Sequence, residues 1–325
     1  MKTLRMSLPS LALIAALAGM LATPHARADE GGVSFWLPGQ QASLASAPLQ
    51  PGWTLPLMYV HVSADADAGK EFEIGGRITA GVDARSDILF FAPTFVFKNP
   101  VAGGQAGLTF AAGLANTHVG VDATLTGPRG NVISSNESDS DTGLLDLYPT
   151  FALRWNHGVH NAMWYFAAGV PVGGYEEGRL VNFSTNHWSA DSGGGYTFFN
   201  PKSGHEFSVT GGLTYNFENP DTDYQNGIDA HVDLGWSEFV TPKTHIGMVA
   251  AIYKQISEDS GSGATLGGFE SEVYSVGPQV GHMFPVNGKL GYFNFRAFYE
   301  FGAENRLEGW NAMVTVAIPL GRAAK

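Results

Sequence analysis

The sequence predicts an all-β protein, an outer-membrane up-and-down antiparallel β-barrel of about twelve strands with long extracellular loops and short periplasmic turns. Three observations support this fold class. The chain begins with an export signal, its remaining apolar residues alternate with polar ones instead of forming long runs, and its connections alternate between short and long. Strands that face lipid with every second residue explain why such a protein has a low mean hydropathy.

The first 28 residues have the three parts of a secretory signal peptide. Lys2 and Arg5 are basic, residues 8–23 form an apolar run, and Ala26 and Ala28 stand at the positions of a small-residue processing site. The run is short for a membrane-spanning helix and is followed by a processing site instead of a stop-transfer charge cluster. We therefore expect cleavage after Ala28.

Composition excludes several classes of function. The chain has 30 acidic and 18 basic residues, and removal of the signal peptide takes Lys2, Arg5 and Arg27, so the mature charge is 15 − 30 = −15. Such an acidic chain argues against a nucleic-acid partner. It has 0 cysteines, which excludes disulfides and cysteine-ligated metals. Hydrophobic residues make up 44% and mean hydropathy is −0.03, yet no run after the signal reaches the length of a spanning helix.

Alternation of apolar and polar residues predicts the strands. In residues 205–217, Phe207, Val209 and Leu213 share one face, while Glu206 and Ser208 lie on the other. A soluble β-sandwich would show the same alternation with its apolar face inward, so periodicity leaves both folds open. The predicted strands are 53–63, 84–97, 105–119, 143–155, 161–171, 191–199, 205–217, 228–240, 243–256, 272–284, 289–301 and 310–320.

The connections favour the barrel, because they alternate in length along the chain. Short, turn-rich connections are predicted at 99–104, 156–160, 200–204, 241–242 and 285–288. Long polar connections are predicted at 64–83, 120–142, 172–190, 218–227, 257–271 and 302–309. Outer-membrane barrels have tight periplasmic turns and long extracellular loops, whereas a Greek-key sandwich gives no such alternation. An even number of strands places both termini in the periplasm.

A segment at residues 29–52 precedes the barrel, which we assign to 53–320, and a tail at 321–325 follows it. Phe35, Trp36 and Leu37 would prefer burial, so this segment is predicted either to plug the lumen or to form a periplasmic lead-in.

Six tryptophans lie at or near predicted strand ends: residues 53, 155, 164, 188, 236 and 310. They are predicted either to form an aromatic girdle at the lipid interface or to fill a core.

The polar faces of the strands supply the candidate lumen lining. Asp229, His231 and Asp233 project side by side from one strand. They could be a metal site, a catalytic group with Ser237, or a polar ladder, and the ladder is favoured because only one histidine and no clear nucleophile are present. We expect no catalytic residue, no metal and no cofactor. The candidate lumen residues are Asp146, Arg154, Glu206, Asp229, His231, Asp233, Asn294, Arg296 and Glu300, which either brace the barrel or line a path.

Several motifs resemble a bacterial family of proteins named for the meta-pathway of phenol degradation. They are Asn216 to Gly227 with His231 and Asp233, Gly277 to Gly281, Glu304 to Trp310, Phe35 to Gly39, and Tyr253 to Ser260. The resemblance implies an outer-membrane barrel that acts as a transporter for small hydrophobic or aromatic compounds, with outer-membrane lipid around it. An outer-membrane hydrolase using the His231 region, and a structural or adhesive barrel, are the alternatives.

Overall fold

The computed structural model describes residues 34–66, 71–74, 77–126, 132–264 and 267–321. The predicted signal peptide, residues 29–33 and residues 322–325 of the tail lie outside the described residues. The strands are β1 (Gly52–Asp65), β2 (Glu71–Ile74), β3 (Arg77–Ala80), β4 (Val82–Phe91), β5 (Thr94–Val96), β6 (Gln105–Thr126), β7 (Val132–His157), β8 (His160–Gly169), β9 (Ser189–Phe199), β10 (His205–Asn216), β11 (Asp229–Thr241), β12 (Thr244–Gln255), β13 (Glu272–Val286), β14 (Lys289–Glu304) and β15 (Glu308–Pro319).

The strands form one closed antiparallel barrel. Each strand of the wall pairs with its neighbours in the chain, and β15 pairs with β1 from Thr54 opposite Pro319 to Asp65 opposite Glu308. β4 and β5 both pair with β1 and β6, so they are one wall strand that is interrupted at residues 92–93. The wall therefore has 12 strands, as predicted, and β2 and β3 form a separate hairpin. Among the described residues, no helix has the length and hydropathy to cross a membrane.

Burial along the strands distinguishes this barrel from a soluble sandwich. On β10, Phe207 and Leu213 are 41% and 51% exposed, whereas Glu206 and Thr214 are 1% and 0% exposed. The apolar face therefore points outward and the polar face inward, the reverse of a water-soluble β protein. Five of the six tryptophans also point outward, with 42–54% of their surface exposed, and Trp155 is half-buried. The outer surface is an apolar band suited to lipid.

The connections alternate in length as predicted, with two corrections. Residues 120–142 were expected to be a loop, but β6 continues to residue 126 and β7 begins at residue 132, where Thr126 lies opposite Val132. This hairpin has polar side chains on its outward face, such as Asn116, which donates to Thr142 Oγ1 at 2.6 Å, so it lacks the outward apolar residues that marked the other strands. The connection expected at 302–309 is also shorter, because β14 extends to 304 and β15 begins at 308.

Candidate functional site

The candidate site is the interior of the barrel, which is lined by polar side chains and occupied by the chain's own N-terminal segment (residues 34–51). Asp229, His231 and Asp233 of β11 are 2%, 1% and 2% exposed. The carboxylate of Asp233 accepts three hydrogen bonds from the N-terminal segment: from Trp36 Nε1 at 3.2 Å, from the Gly39 amide at 2.7 Å and from the Gln41 amide at 3.0 Å. A single lumen carboxylate thus holds one turn of this segment.

The aromatic residues of the N-terminal segment pack against the inner wall. The Trp36 indole stacks on the His231 imidazole with 3.7 Å between ring centroids and 13° between planes, and it lies 5.7 Å from the Tyr165 ring. Phe35 is half-buried and lies 5.8 Å from Tyr148. Leu37 packs against a buried apolar cluster formed by Ala42 of the same segment and by wall residues of β1, β12, β14 and β15: Val60, Val249, Phe298 and Met313. The three predicted plug residues therefore all lie in the lumen.

The following part of the segment crosses towards β9 and β10. The Leu44 amide donates to Glu206 Oε1 at 2.9 Å and to Ser208 Oγ at 3.0 Å. The Ser46 amide donates to Thr197 Oγ1 at 3.0 Å. Backbone amides without a regular partner need such acceptors when they are buried, and here lumen side chains of the barrel supply them.

The other side of the lumen contributes a buried guanidinium. Arg296 donates from Nη2 to the Gln40 carbonyl at 2.9 Å and from Nη1 to Asn294 Oδ1 at 2.9 Å. Gly39 has a φ of +82°, and an added Cβ there would collide with the Phe298 ring, so the segment fits closely at this point. Arg296 and Asp233 therefore anchor the same turn from two sides of the barrel.

His231 is arranged as a structural polar group. Its Nε2 lies 2.9 Å from Asp191 Oδ2, and Asp191 also accepts from Thr214 Oγ1 at 2.6 Å. Ser237 instead lies 2.8 Å from Ser43 Oγ and accepts from Gln279 Nε2 at 3.1 Å. Among the described residues, no three His, Asp or Glu side chains are grouped to hold a metal ion.

The remaining predicted lumen residues lie towards the two ends of the barrel. At the loop end, Asp146 is 2% exposed and Glu300 is 8% exposed, and both accept backbone amides, from residues such as Val172 and Gly309. Asp229 accepts from Asn216 Nδ2 at 2.9 Å. Arg154 lies at the turn end, where it lines a pocket with other residues: Pro48, Phe97, Lys98, Pro100, Gly103, Gly104, Gln105 and Asn156. The structure thus brings Glu206, His231, Asp233, Asn294 and Arg296 together around the turn at residues 36–44 of the N-terminal segment, whereas Asp146, Arg154, Asp229 and Glu300 lie away from that turn.

Sequence reasoning did not single out three of the residues that hold this arrangement. Asp191, Thr197 and Gln279 all lie within predicted strands, and each is buried in the lumen. Strict period-two counting from their neighbours would have placed them on the inner face. Ser43, whose hydroxyl accepts from Gln279 Nε2 at 2.7 Å, carries no such periodic signal because it lies in an irregular segment.

A closed antiparallel barrel with an apolar exterior, short turns at one end, long loops at the other and a polar interior defines the class of outer-membrane β-barrels. The chain belongs to the family whose model is described as "Putative MetA-pathway of phenol degradation", which matches residues 69–316.

Solved structures support the fold. The chain is similar to an outer membrane channel from Pseudomonas putida F1, with a TM-score of 0.64, 13% identity, and coverage of 87% of this chain and 99% of that chain. It also matches the translocator domain of the autotransporter NalP from Neisseria meningitidis, with a TM-score of 0.44, 10% identity and coverage of 96% and 98%. A Pseudomonas aeruginosa FadL homologue matches with a TM-score of 0.39, 8% identity and coverage of 90% and 98%. The last two likenesses are too weak to carry an argument. No curated protein sequence matches the chain.

Proposed function

We propose that this protein is an outer-membrane channel for the passive uptake of small hydrophobic or aromatic compounds, and that the N-terminal segment is its plug. The observation that carries the proposal is the occupation of the lumen by residues 34–51 through contacts with β9, β10, β11, β13 and β14. Membership of a family named for phenol degradation supports aromatic compounds as the solute class.

The contacts of the plug suit a removable element. Its backbone is held by hydrogen bonds to lumen side chains, such as those of Asp233 and Arg296, and these groups can be hydrated when the segment leaves. Twelve strands leave a narrow interior, so solute passage requires that the plug moves.

Transport in this proposal needs neither catalysis nor an energy source. The solute moves down its concentration gradient, and lumen side chains determine which solutes pass. His231, which is 1% exposed, lies beneath the Trp36 ring and hydrogen-bonds to Asp191, so it is a positioning group for the plug. We also propose that the mature chain reaches the outer membrane after cleavage following Ala28.

The proposal is tested by uptake in a deletion strain. Complementation with the full chain should restore accumulation of labelled phenol, toluene or an alkane, and a variant lacking residues 34–48 should accumulate them faster, since β1 begins only at residue 52. Heat-modifiable gel mobility verifies that each variant forms a barrel. Equal uptake by the deletion and complemented strains across the whole solute panel would contradict the channel. Equal uptake with and without residues 34–48 would contradict the plug.

A further inference from the structure

Strand β7 extends well beyond the membrane at the extracellular end. It has 26 residues, whereas a membrane-spanning strand needs about 9–11. Its outward face is polar at Ser140, which lies 2.6 Å from His118 Nδ1, and at Thr142, but Leu144 is apolar and 66% exposed. The lipid-facing surface therefore begins near residue 144, and the part of β7 before it stands outside the membrane.

The inward face of this projecting part holds the β8–β9 loop (residues 170–188). Asp139 lies opposite buried Val119 of β6 and therefore faces inward. Arg179 of the loop forms ion pairs with Asp139 at 2.9 Å and Asp141 at 2.8 Å. The Val181 amide also donates to Asp139 at 3.2 Å. These contacts attach the tip of the loop to β7.

A second attachment lies deeper in the barrel. Asp146 Oδ1 accepts from the amides of Val172 and Gly173, both at 3.0 Å, and its Oδ2 accepts from the Thr185 amide at 3.1 Å. One carboxylate therefore holds both ends of the loop. The loop enters the mouth of the barrel between these two attachments.

Between the attachments, the loop places apolar side chains on an apolar patch of the inner wall. Leu180, Val181 and Phe183 are 5%, 2% and 8% exposed. They pack against inward residues of β4 and β6, namely Val82, Ala115, Val119 and Val121. The Phe183 ring lies directly over Gly143, and a Cβ added to Gly143 would collide with the ring. The absence of a side chain at residue 143 therefore provides the space for the ring. Elsewhere, along β9 to β11, the lumen wall is polar.

We propose that this patch is a binding site for small uncharged aromatic molecules, and that the Phe183 side chain occupies it until such a molecule replaces it. This inference rests on the proposed uptake function and gives it an entrance site. The glycine gap at residue 143 fits a flat ring, and the wall residues packed around the Phe183 ring are aliphatic: Val82, Ala115, Val119 and Val121. Ligand and loop would compete, because both need the same surface.

The test is photolabelling of the full chain in lipid nanodiscs with 4-methylbenzophenone, an uncharged aromatic probe. In Phe183→Ala the loop can remain attached through Arg179 and Asp146 while the ring space is empty. Labelling of peptides covering 115–121 and 143 should rise about tenfold, the gain expected when a site that is open about a tenth of the time becomes open always. A second substitution, Gly143→Leu, fills the gap and should return labelling to the original level.

A second photolabelling experiment releases the β8–β9 loop by removing its ion pairs. Arg179→Gln should increase labelling of the same peptides, whereas Lys254→Gln, which breaks an ion pair between Lys254 of β12 and Glu272 of β13, should not. Equal labelling in Phe183→Ala and the original chain would overturn the site, as would undiminished labelling in the double variant. Uptake separates the two proposals: labelling at this patch without uptake of any solute contradicts only the channel, and uptake without labelling contradicts only the site.

Discussion

Substitution of Asp233 should release the plug, because this carboxylate accepts three of its hydrogen bonds. In Asp233→Asn one of the two oxygens becomes an NH2 group that cannot accept, so the orientation that loses least keeps the oxygen on Trp36 Nε1 and the Gln41 amide and leaves the Gly39 amide unpaired. Each buried donor left without a partner costs about 1–3 kcal/mol. The loss of this one hydrogen bond should therefore weaken docking of the segment by about 1–3 kcal/mol.

The chain offers a clean assay for this change, since it contains 0 cysteines. Ser46 is 0% exposed, and its hydroxyl makes no hydrogen bond within the described part of the chain, so Ser46→Cys places a single thiol under the docked segment at small cost. The rate of modification by a membrane-impermeant maleimide then reports the undocked fraction. A loss of about 2 kcal/mol, the middle of this range, corresponds to about thirtyfold faster modification, which is the result we expect for Asp233→Asn.

The matched control is Asp83→Asn in the same Ser46→Cys background, because Asp83 is an exposed acid on β4 outside the lumen. It should leave the rate of modification unchanged. If Asp233→Asn accelerated modification by less than about threefold while the barrel kept its heat-modifiable mobility, the hydrogen bonds of Asp233 would not hold the segment, and the reasoning from buried donors would be refuted.

Three further expectations follow from the structure. Gly39→Ala should accelerate modification of the Ser46→Cys thiol, because Gly39 has a φ of +82° and an added Cβ would collide with the Phe298 ring. The control Gly103→Ala should not, because Gly103 has a similar φ of +74° but open space around it. The Arg179 guanidinium lowers the pKa of the Asp139 carboxyl below its ordinary value of 3.8. The ion pair that attaches the β8–β9 loop is therefore fully formed above pH 3.8 and is lost as the pH falls through the lowered pKa. A nitroxide label on this loop should gain mobility only below pH 3.8. Met248→Lys puts a charge on an outward position that is 46% exposed to the lipid side and should cost about 2–4 kcal/mol in urea unfolding from liposomes, while a lysine in an extracellular loop should cost nothing measurable.

The wall of the barrel could be predicted from the sequence because lipid imposes a strict rule on every second residue. Phe207 and Leu213 show it directly, and the twelve predicted strands lie within a few residues of those observed except where β6 and β7 are longer. That extension could not be seen, since its outward face meets water instead of lipid and need not be apolar.

The site was predictable only in its residue types. Alternation placed Asp233 and Arg296 on the inner face, but their partners are backbone groups of Gln40 and Gln41, which lie in an irregular segment without periodicity. The role of Gly143 could not be predicted either, because the Phe183 ring that occupies the space beside this glycine comes from a distant loop. Contacts between distant segments are not encoded in local patterns.

The position of the N-terminal segment has a consequence for how the chain assembles. Its partners are far away in sequence: Thr197 lies 151 residues from Ser46, Asp233 lies 194 from Gly39, and Arg296 lies 256 from Gln40. This segment, which precedes every strand of the barrel, can therefore complete its native contacts only after β14 is in place. Its burial marks the completion of the barrel.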